Sequence, residues 1–314
     1  MQAPAPTATP QRNIGVALGR GGLGDRSFND STNEGLQQAQ SELGIRYRVM
    51  ELTGDNDQLT NLKLLLTEQY DLIIVVGQEY VAALQEVAAA NPTQRFAILD
   101  AVVDAPNITS ITFREMEGDF LAGALSAMLS KNGTVGFLGG ADIPLIRRIE
   151  HGWSEGVRYI NPQATILTEY AGDVGDFSGF TKPELGRELT LRMYDQQAEV
   201  IYAAAGRTAL GAIEAAQEIE RPIITTGSDQ RWIAPAVVVT SRTKNMNTAV
   251  LILLRDLVAD TLAPGTRELD LKSGGIGMAG LDSPLITSDM RDRLVAIENE
   301  LKSGTLVIKE FTTP

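Results

Sequence analysis

Residues 71–100 read DLIIVVGQEYVAALQEVAAANPTQRFAILD, and this stretch decides the fold. Within Asp71–Val76 the run LIIVV is short, apolar and β-branched, which predicts a buried strand. Tyr80–Ala90 follows as a helical pattern, and Phe96–Leu99 is a second short apolar run. Strands separated by helices of this length form βαβ units and therefore a parallel sheet.

The same alternation extends in both directions. Upstream, strand Asn13–Leu18, a helix at about Ser27–Leu43, strand Tyr47–Leu52 and helix Gln58–Glu68 lead into the opening stretch. Downstream lie strand Ile108–Phe113 and helix Glu115–Leu129, and then the pattern starts again. It runs through strand Thr134–Leu138, helix Ile143–Tyr159, strand Thr165–Glu169, helix Pro183–Tyr194, strand Val200–Ala204, helix Thr208–Ile219 and strand Pro222–Thr226. So many parallel strands exceed one comfortable open sheet, so an α/β chain with two doubly wound lobes is expected. Ala236–Ser241 and helix Asn245–Thr261 are expected to return to the first lobe, and helix Ser288–Lys302 to end the chain. The resulting division places 12–112 with 240–276 in lobe 1 and 113–239 with 277–314 in lobe 2, joined by a three-strand hinge crossing near 113, 239 and 277.

Composition narrows the function classes. A formal net charge of -13 disfavours nucleic acid and anionic lipid as partners. The absence of cysteine removes thiolate nucleophiles, cysteine-based zinc sites and disulfides. The one histidine, His151, rules against a Ser-His-Asp triad or a multi-histidine metal site and is expected to be structural. Residues 1–11, MQAPAPTATPQ, lack the basic start and apolar centre of a signal peptide and read as a flexible tether.

Ligands of open α/β sheets bind outside the carboxyl ends of the strands, so the loops there carry the argument. After the first strand, Gly19, Gly21 and Gly24 match G-x-G-x-x-G, the dinucleotide fingerprint, and Glu51 ends the next strand. Asp25, Arg26 and Ser27 follow at once, where Asp25 or Ser27 would cap the helix and a carboxylate would repel a pyrophosphate. Phe28, flanked by Asp25 and Asn29, either anchors that helix in the core or offers a flat face to an aromatic heterocycle whose edge the polar neighbours read. Asp100 and Asp229, at other strand ends, are carboxylates that could accept the hydroxyls of a vicinal diol, or could serve as caps. Ala203-Ala204-Ala205-Gly206 permits close approach of a ligand to backbone.

Several segments in order resemble the basic membrane protein family of ABC-transporter substrate-binding lipoproteins, the purine nucleoside receptors. They are Asp25–Asn29, Phe113–Gly123, Gly136–Pro144, Ala203–Gly206, Gly227–Gln230 and Thr240–Lys244. The resemblance covers the chain from Asn13 to the final helix and implies a type I periplasmic-binding fold, an extracytoplasmic location and a lipid anchor upstream of residue 1. It further implies that Phe28 stacks on the base with Asp25 and Asn29 near its edge. Phe180 in Gly179-Phe180-Thr181-Lys182-Pro183 would be the second aromatic, with Phe177 as a neighbouring competitor. Asp100, Gly206, Asp229 and Lys244 would contact the ribose and the polar edge. The chain departs from the family pattern at Gly227, where an acidic residue is usual, and at Lys182, where Asp is usual before Pro.

The expected function is therefore that of a non-enzymatic, cofactor-free binding component of an ABC importer, monomeric, holding a purine nucleoside between its lobes and delivering it to a membrane permease and its ATPase. A free purine base or a flavin is the alternative ligand. An NAD-dependent enzyme using Gly19–Gly24 and a sensor domain of the same fold are the rival classes.

Overall fold

The computed structural model describes residues 11–25, 27–52, 54 and 57–312. Residues 1–10 of the tether expected at 1–11, and Arg26 of the Asp25–Asn29 segment, lie outside the described residues. The chain divides into two compact units, residues 1–112 with 246–268 and residues 113–245 with 269–314.

The first pass along the chain contains β1 (Asn13–Ala17), α1 (Phe28–Leu43), β2 (Arg46–Met50), α2 (Gln58–Leu65), β3 (Leu72–Val76), α3 (Val81–Ala90), β4 (Phe96–Leu99) and β5 (Ile108–Phe113). The second contains α4 (Glu115–Leu129), β6 (Thr134–Gly139), α5 (Pro144–Ile160), β7 (Thr165–Tyr170), α6 (Pro183–Asp195), β8 (Val200–Ala204), α7 (Thr208–Glu218), β9 (Ile223–Gly227) and β10 (Val238–Lys244). The chain then adds α8 (Met246–Val258), β11 (Gly265–Leu269), β12 (Ile276–Met278) and α9 (Ser288–Ser303).

Two six-stranded sheets result, in the orders β11-β5-β4-β3-β1-β2 and β12-β10-β9-β8-β6-β7. Term for term the second order repeats the first. LIIVV forms β3, every residue of it fully buried, in parallel register between β1 and β4. The sequence therefore carries a continuous apolar run where the strand is covered on both faces.

Local chemistry sets the helix ends. α5 and α6 start on Pro144 and Pro183, whose missing N–H costs nothing in a first turn. α9 is capped by Thr287, whose hydroxyl accepts the Met290 N–H at 3.3 Å. In unit 2, α4 and α5 approach until a side chain on Gly123 would overlap the Trp153 carbonyl. The close approach makes glycine obligatory there. In unit 1 the contact of α1 with α8 uses Gly35, whose added Cβ would lie 2.7 Å from the Asn247 Cα.

One assignment is corrected. The strand expected at Ala236–Ser241 does not return to the first lobe. As β10 it pairs in parallel with β9 and antiparallel with β12, inside the second sheet. Residues 240–245 and 269–276 therefore belong with unit 2, and the chain passes between units at 112/113, 245/246 and 268/269, not near 239 and 277. A parallel neighbour usually requires a helical crossover. Residues 228–237 reach it through turns instead.

Candidate ligand-binding site

Each sheet changes winding direction between its first and third strands, β1 and β3 in unit 1 and β6 and β8 in unit 2. Loops at the carboxyl ends of these strands form the crevice in which doubly wound folds hold ligands.

In unit 1, β1 runs into a loop whose backbone donors are already engaged. The N–H groups of Gly19, Arg20, Leu23 and Gly24 donate to Asn29 Oδ1 (3.0 Å), Glu79 Oε1 (2.7 Å), Glu51 Oε2 (2.8 Å) and Asp30 Oδ1 (2.8 Å). The Gly22 N–H donates to the Gly19 carbonyl at 3.2 Å. A pyrophosphate needs such donors and repels such carboxylates, so this G-x-G-x-x-G loop is built unlike a dinucleotide cradle.

Asp25 organises the start of α1. Its carboxylate accepts the N–H groups of Ser27 (2.9 Å), Asn29 (2.8 Å) and Asp30 (3.1 Å), the donors a helix N-terminus leaves unpaired. It also accepts Asn29 Nδ2 at 3.0 Å. Asn29 is fully buried, and its amide bridges this cap to the Gly19 N–H and the Arg20 carbonyl. Between the two stands Phe28, the first helical residue, half-buried at the carboxyl edge of β1. Asp25 and Asn29 thus hold the loop that presents the ring.

Asp100 follows β4 with φ 65°, in the left-handed region. The other non-glycine residues with positive φ, Gln197, Glu220 and Asp260, follow the ends of α6, α7 and α8, where such a conformation closes a helix. Asp100 follows a strand and has no such reason. Among described residues it is the one left-handed side chain that helix termination does not explain, and such outliers concentrate at functional sites.

In unit 2, Phe180 lies on a glycine floor. A Cβ added to Gly140, just past β6, would overlap its ring, and one added to Gly206, just past β8, would stand 3.3 Å from it. The ring therefore sits over the ends of both strands that flank the switch point. Thr208, the first residue of α7, clamps the segment by donating its hydroxyl to the Gly179 carbonyl (2.6 Å) and accepting the Lys182 N–H (2.8 Å). Phe177 is 63% exposed, with its ring centroid 6.4 Å from that of Phe180. Lys182, one of the departures, pairs with Asp176 at 3.3 Å.

Gly227 ends β9 with φ 103°. Asp229 is exposed and gripped by Arg231 at 2.9 and 2.7 Å, and Arg231 also pairs with Asp282. That guanidinium holds the Asp229 carboxyl below the usual carboxylate range, against a smaller opposing effect of burial. Trp232 beside it is 58% exposed.

Lys244 ends β10, its Nζ 2.9 Å from Glu115 Oε1 and 5.3 Å from the centroid of the Phe113 ring. Glu115 also meets Arg148 at 3.1 Å. One helical turn on, the fully buried Asp119 accepts the Tyr202 hydroxyl (2.6 Å) and Arg242 Nε (2.7 Å). Burial pushes the Asp119 carboxyl up to about 6, against the pull of Arg242 and Tyr202. Burial opposes charge on Glu115 as well, but Lys244 and Arg148 outweigh it and hold that carboxyl below its ordinary value. Neither Glu115 nor Gly140 is assigned a role by the sequence alone. The i,i+4 acids Glu115 and Asp119 on a largely apolar helix, facing alternate cations Arg242 and Lys244 on a strand, were the available signal.

His151 donates Nε2–H to the Lys309 carbonyl at 2.9 Å and tethers the C-terminal segment to α5. No helix among the described residues is long and apolar enough to cross a membrane.

Comparison with known proteins agrees with this architecture. Residues 13–311 match the profile of the Bmp family, described as ABC transporter substrate-binding protein PnrA-like. Basic membrane protein A of Borreliella burgdorferi is 32% identical over 265 residues, covering 82% of this chain and 76% of that protein. The CD4+ T-cell-stimulating antigen of Listeria innocua is 31% identical over 286 residues, covering 87% and 78%. An uncharacterized lipoprotein of Pyrococcus horikoshii is 31% identical over 285 residues, covering 86% and 69%. Among solved structures, a solute-binding protein of an ABC transporter system from Aeropyrum pernix superposes with a TM-score of 0.83 at 26% identity, covering 97% of this chain and 94% of that one. A fold of two mostly parallel sheets, a profile match across nearly all described residues and relatives at this identity lead to one assignment: the chain belongs to the PnrA-like family of ABC transporter substrate-binding proteins.

Proposed function

We propose that this protein binds a purine nucleoside, without transforming it, and hands it to the permease of an ABC importer. The observation that carries the reading is the seating of Phe180 on Gly140 and Gly206, at the switch point of the second sheet. Phe28, on the carboxyl edge of the first sheet, supplies a second plate. A base stacked on an aromatic side chain gains roughly 1–3 kcal/mol per contact. Asp100, kept in a strained conformation, is the carboxylate best suited to accept ribose hydroxyls. Gly206, just past β8, and Lys244, at the end of β10, complete the polar contacts, with Asp25 and Asn29 holding Phe28 in place. Export and a lipid anchor accord with a relative from Pyrococcus horikoshii that is named as a lipoprotein.

A second reading has its own observation. Gly227 provides no side chain where the family usually has an acid, and Asp229 is occupied by Arg231. A ligand with a flat ring and no ribose, such as a free purine or riboflavin, fits a site short of one diol acceptor. Calorimetry with guanosine, inosine, adenosine, their free bases and riboflavin separates the readings. Nucleosides binding at least tenfold tighter than their bases support the first, the reverse order supports the second, and heat from none of them sinks both.

A further inference from the structure

We infer that Glu115 is the positioning residue for Lys244, fixing its ammonium at the carboxyl edge of the second sheet in the place where it meets ligand. This rests on the reading of Lys244 as a ligand contact. A lysine ammonium is a mobile point charge on a flexible stem, and holding it in one place costs rotamer entropy. Here the stem is tethered from two sides. Glu115 Oε1 lies 2.9 Å from Nζ, and the Phe113 ring lies beneath it at 5.3 Å. The Glu115 side chain is 2% exposed and that of Lys244 10%, so water does little to screen the pair.

The surroundings explain why a carboxylate is needed. Arg148 from α5 touches the second oxygen of Glu115 at 3.1 Å, and Arg242 stands two residues before Lys244 on β10. Asp119, on the same helix as Glu115, is taken by Arg242 and Tyr202. Lys244 therefore shares its site with two guanidinium groups, and Glu115 is the acid that answers both it and Arg148. The pair also sits among the segments where the chain changes units: Arg114 N–H donates to the Leu269 carbonyl and Asn245 N–H to the Gly275 carbonyl, each at 2.8 Å. Glu117 Oε2 accepts the Leu271 N–H at 3.0 Å.

The test is ligand affinity against pH, from about 7 to 10, for wild type, Lys244→Met, Glu115→Gln and Glu115→Asp. The probe is the tightest binder among guanosine, inosine, adenosine, their free bases and riboflavin. Lys244→Met should weaken binding roughly tenfold or more with no new pH dependence. Glu115→Gln takes the carboxylate's charge away from a lysine that stands near Arg148 and Arg242, so the ammonium gives up its proton at lower pH than in wild type. Its affinity should start within a few fold of wild type at the low end and fall toward that of Lys244→Met as the pH rises. A general loss of packing would lower affinity at every pH and leave the shape of the profile alone. A Glu115→Gln profile that overlays wild type, while Lys244→Met binds poorly, overturns the positioning role. If Glu115→Gln does not fold, Glu115→Asp keeps the charge but withdraws it from Nζ, and wild-type affinity in that variant overturns the role instead. Lys244→Met binding as tightly as wild type removes Lys244 from the site and shows the parent reading at fault. No binding by any probe removes the nucleoside reading and this inference with it.

Discussion

The ends of β4 and β9 occupy the same place in two sheets of equivalent strand order, and at both the backbone turns off with positive φ. In unit 1 the residue there is Asp100, with φ 65°; in unit 2 it is Gly227, with φ 103°. Glycine adopts that conformation freely, whereas an L side chain pays roughly 1–2 kcal/mol. The repeated architecture takes the same turn in both units, with a carboxylate at it in one and no side chain in the other. The same contrast recurs in the aromatic plates. Unit 1 presents Phe28 through a cap of polar side chains, and unit 2 lays Phe180 on bare backbone.

The largest expected effect tests how far the two units share their packing logic. Gly123→Ala forces a methyl into the Trp153 carbonyl, whereas Gly35→Ala meets the softer limit of 2.7 Å at Asn247. Denaturant unfolding should show a loss of about 3 kcal/mol or more for the first and a smaller loss for the second. Equal losses would erase this difference between the units.

The next effect concerns buried charge. Among the described residues, the charged side chains that are buried, Glu115, Asp119 and Arg242, all belong to unit 2. Asp119 is raised from 3.8 to about 6, so the folded state holds its proton more tightly than the unfolded chain. Its contribution to stability is full below 3.8 and is lost as the pH climbs through about 6. Glu115, held below 4.5, has the opposite sign: its contribution is present above that value and is lost as the pH falls through its lowered one. Unfolding free energies from pH 4 to 7 should therefore show the advantage of wild type over Asp119→Asn shrinking with rising pH, by at most about 3 kcal/mol. An advantage that grows with pH would reverse the assignment.

Stacking comes third. Phe28→Ala and Phe180→Ala should each weaken ligand binding by roughly tenfold or more, the equivalent of about 1–3 kcal/mol. Gly140→Ala should approach the Phe180→Ala result, because it evicts the ring without removing it. Calorimetry reads all three, and wild-type affinity in Gly140→Ala would show that the floor does not set the plate.

The smallest effect bears directly on the opening contrast. Asp100→Gly relieves the left-handed strain and should raise stability by about 1 kcal/mol while weakening ligand binding. A variant that gains stability and keeps full affinity would leave the strained aspartate without a use.

Much of this was legible in residue order. LIIVV and the strand–helix alternation predicted parallel sheets because burial on both faces leaves a continuous apolar run. The place of β10 was not legible. Val238–Lys244 reads as a strand wherever it pairs, and periodicity does not say which sheet will accept it. The repeat offered a clue, since β4 also reaches β5 without a helix. β11 and β12 went unread because Gly265-Thr266-Arg267-Glu268 is exposed and lacks alternation, and Ile276–Met278 is three residues long. Of the candidate site residues, Phe28 could be singled out from type and context, and Phe180 only through the family resemblance. The floor of Phe180 could not, because Gly140 and Gly206 lie far from it in sequence and only the winding of the sheet brings them together, and the acid beside Lys244 left no more than the i,i+4 spacing of Glu115 and Asp119 as a sign.

The two tryptophans divide in the same uneven way. Trp153 is sealed in unit 2 among Phe137, Tyr202 and the Ser126 hydroxyl, while Trp232 stands in solvent on the loop that leaves β9. An aqueous quencher such as iodide therefore extinguishes one indole and spares the other. Native fluorescence thus carries two separable signals, one reporting the integrity of the interior and the other what happens at the rim of the second sheet, with no label attached.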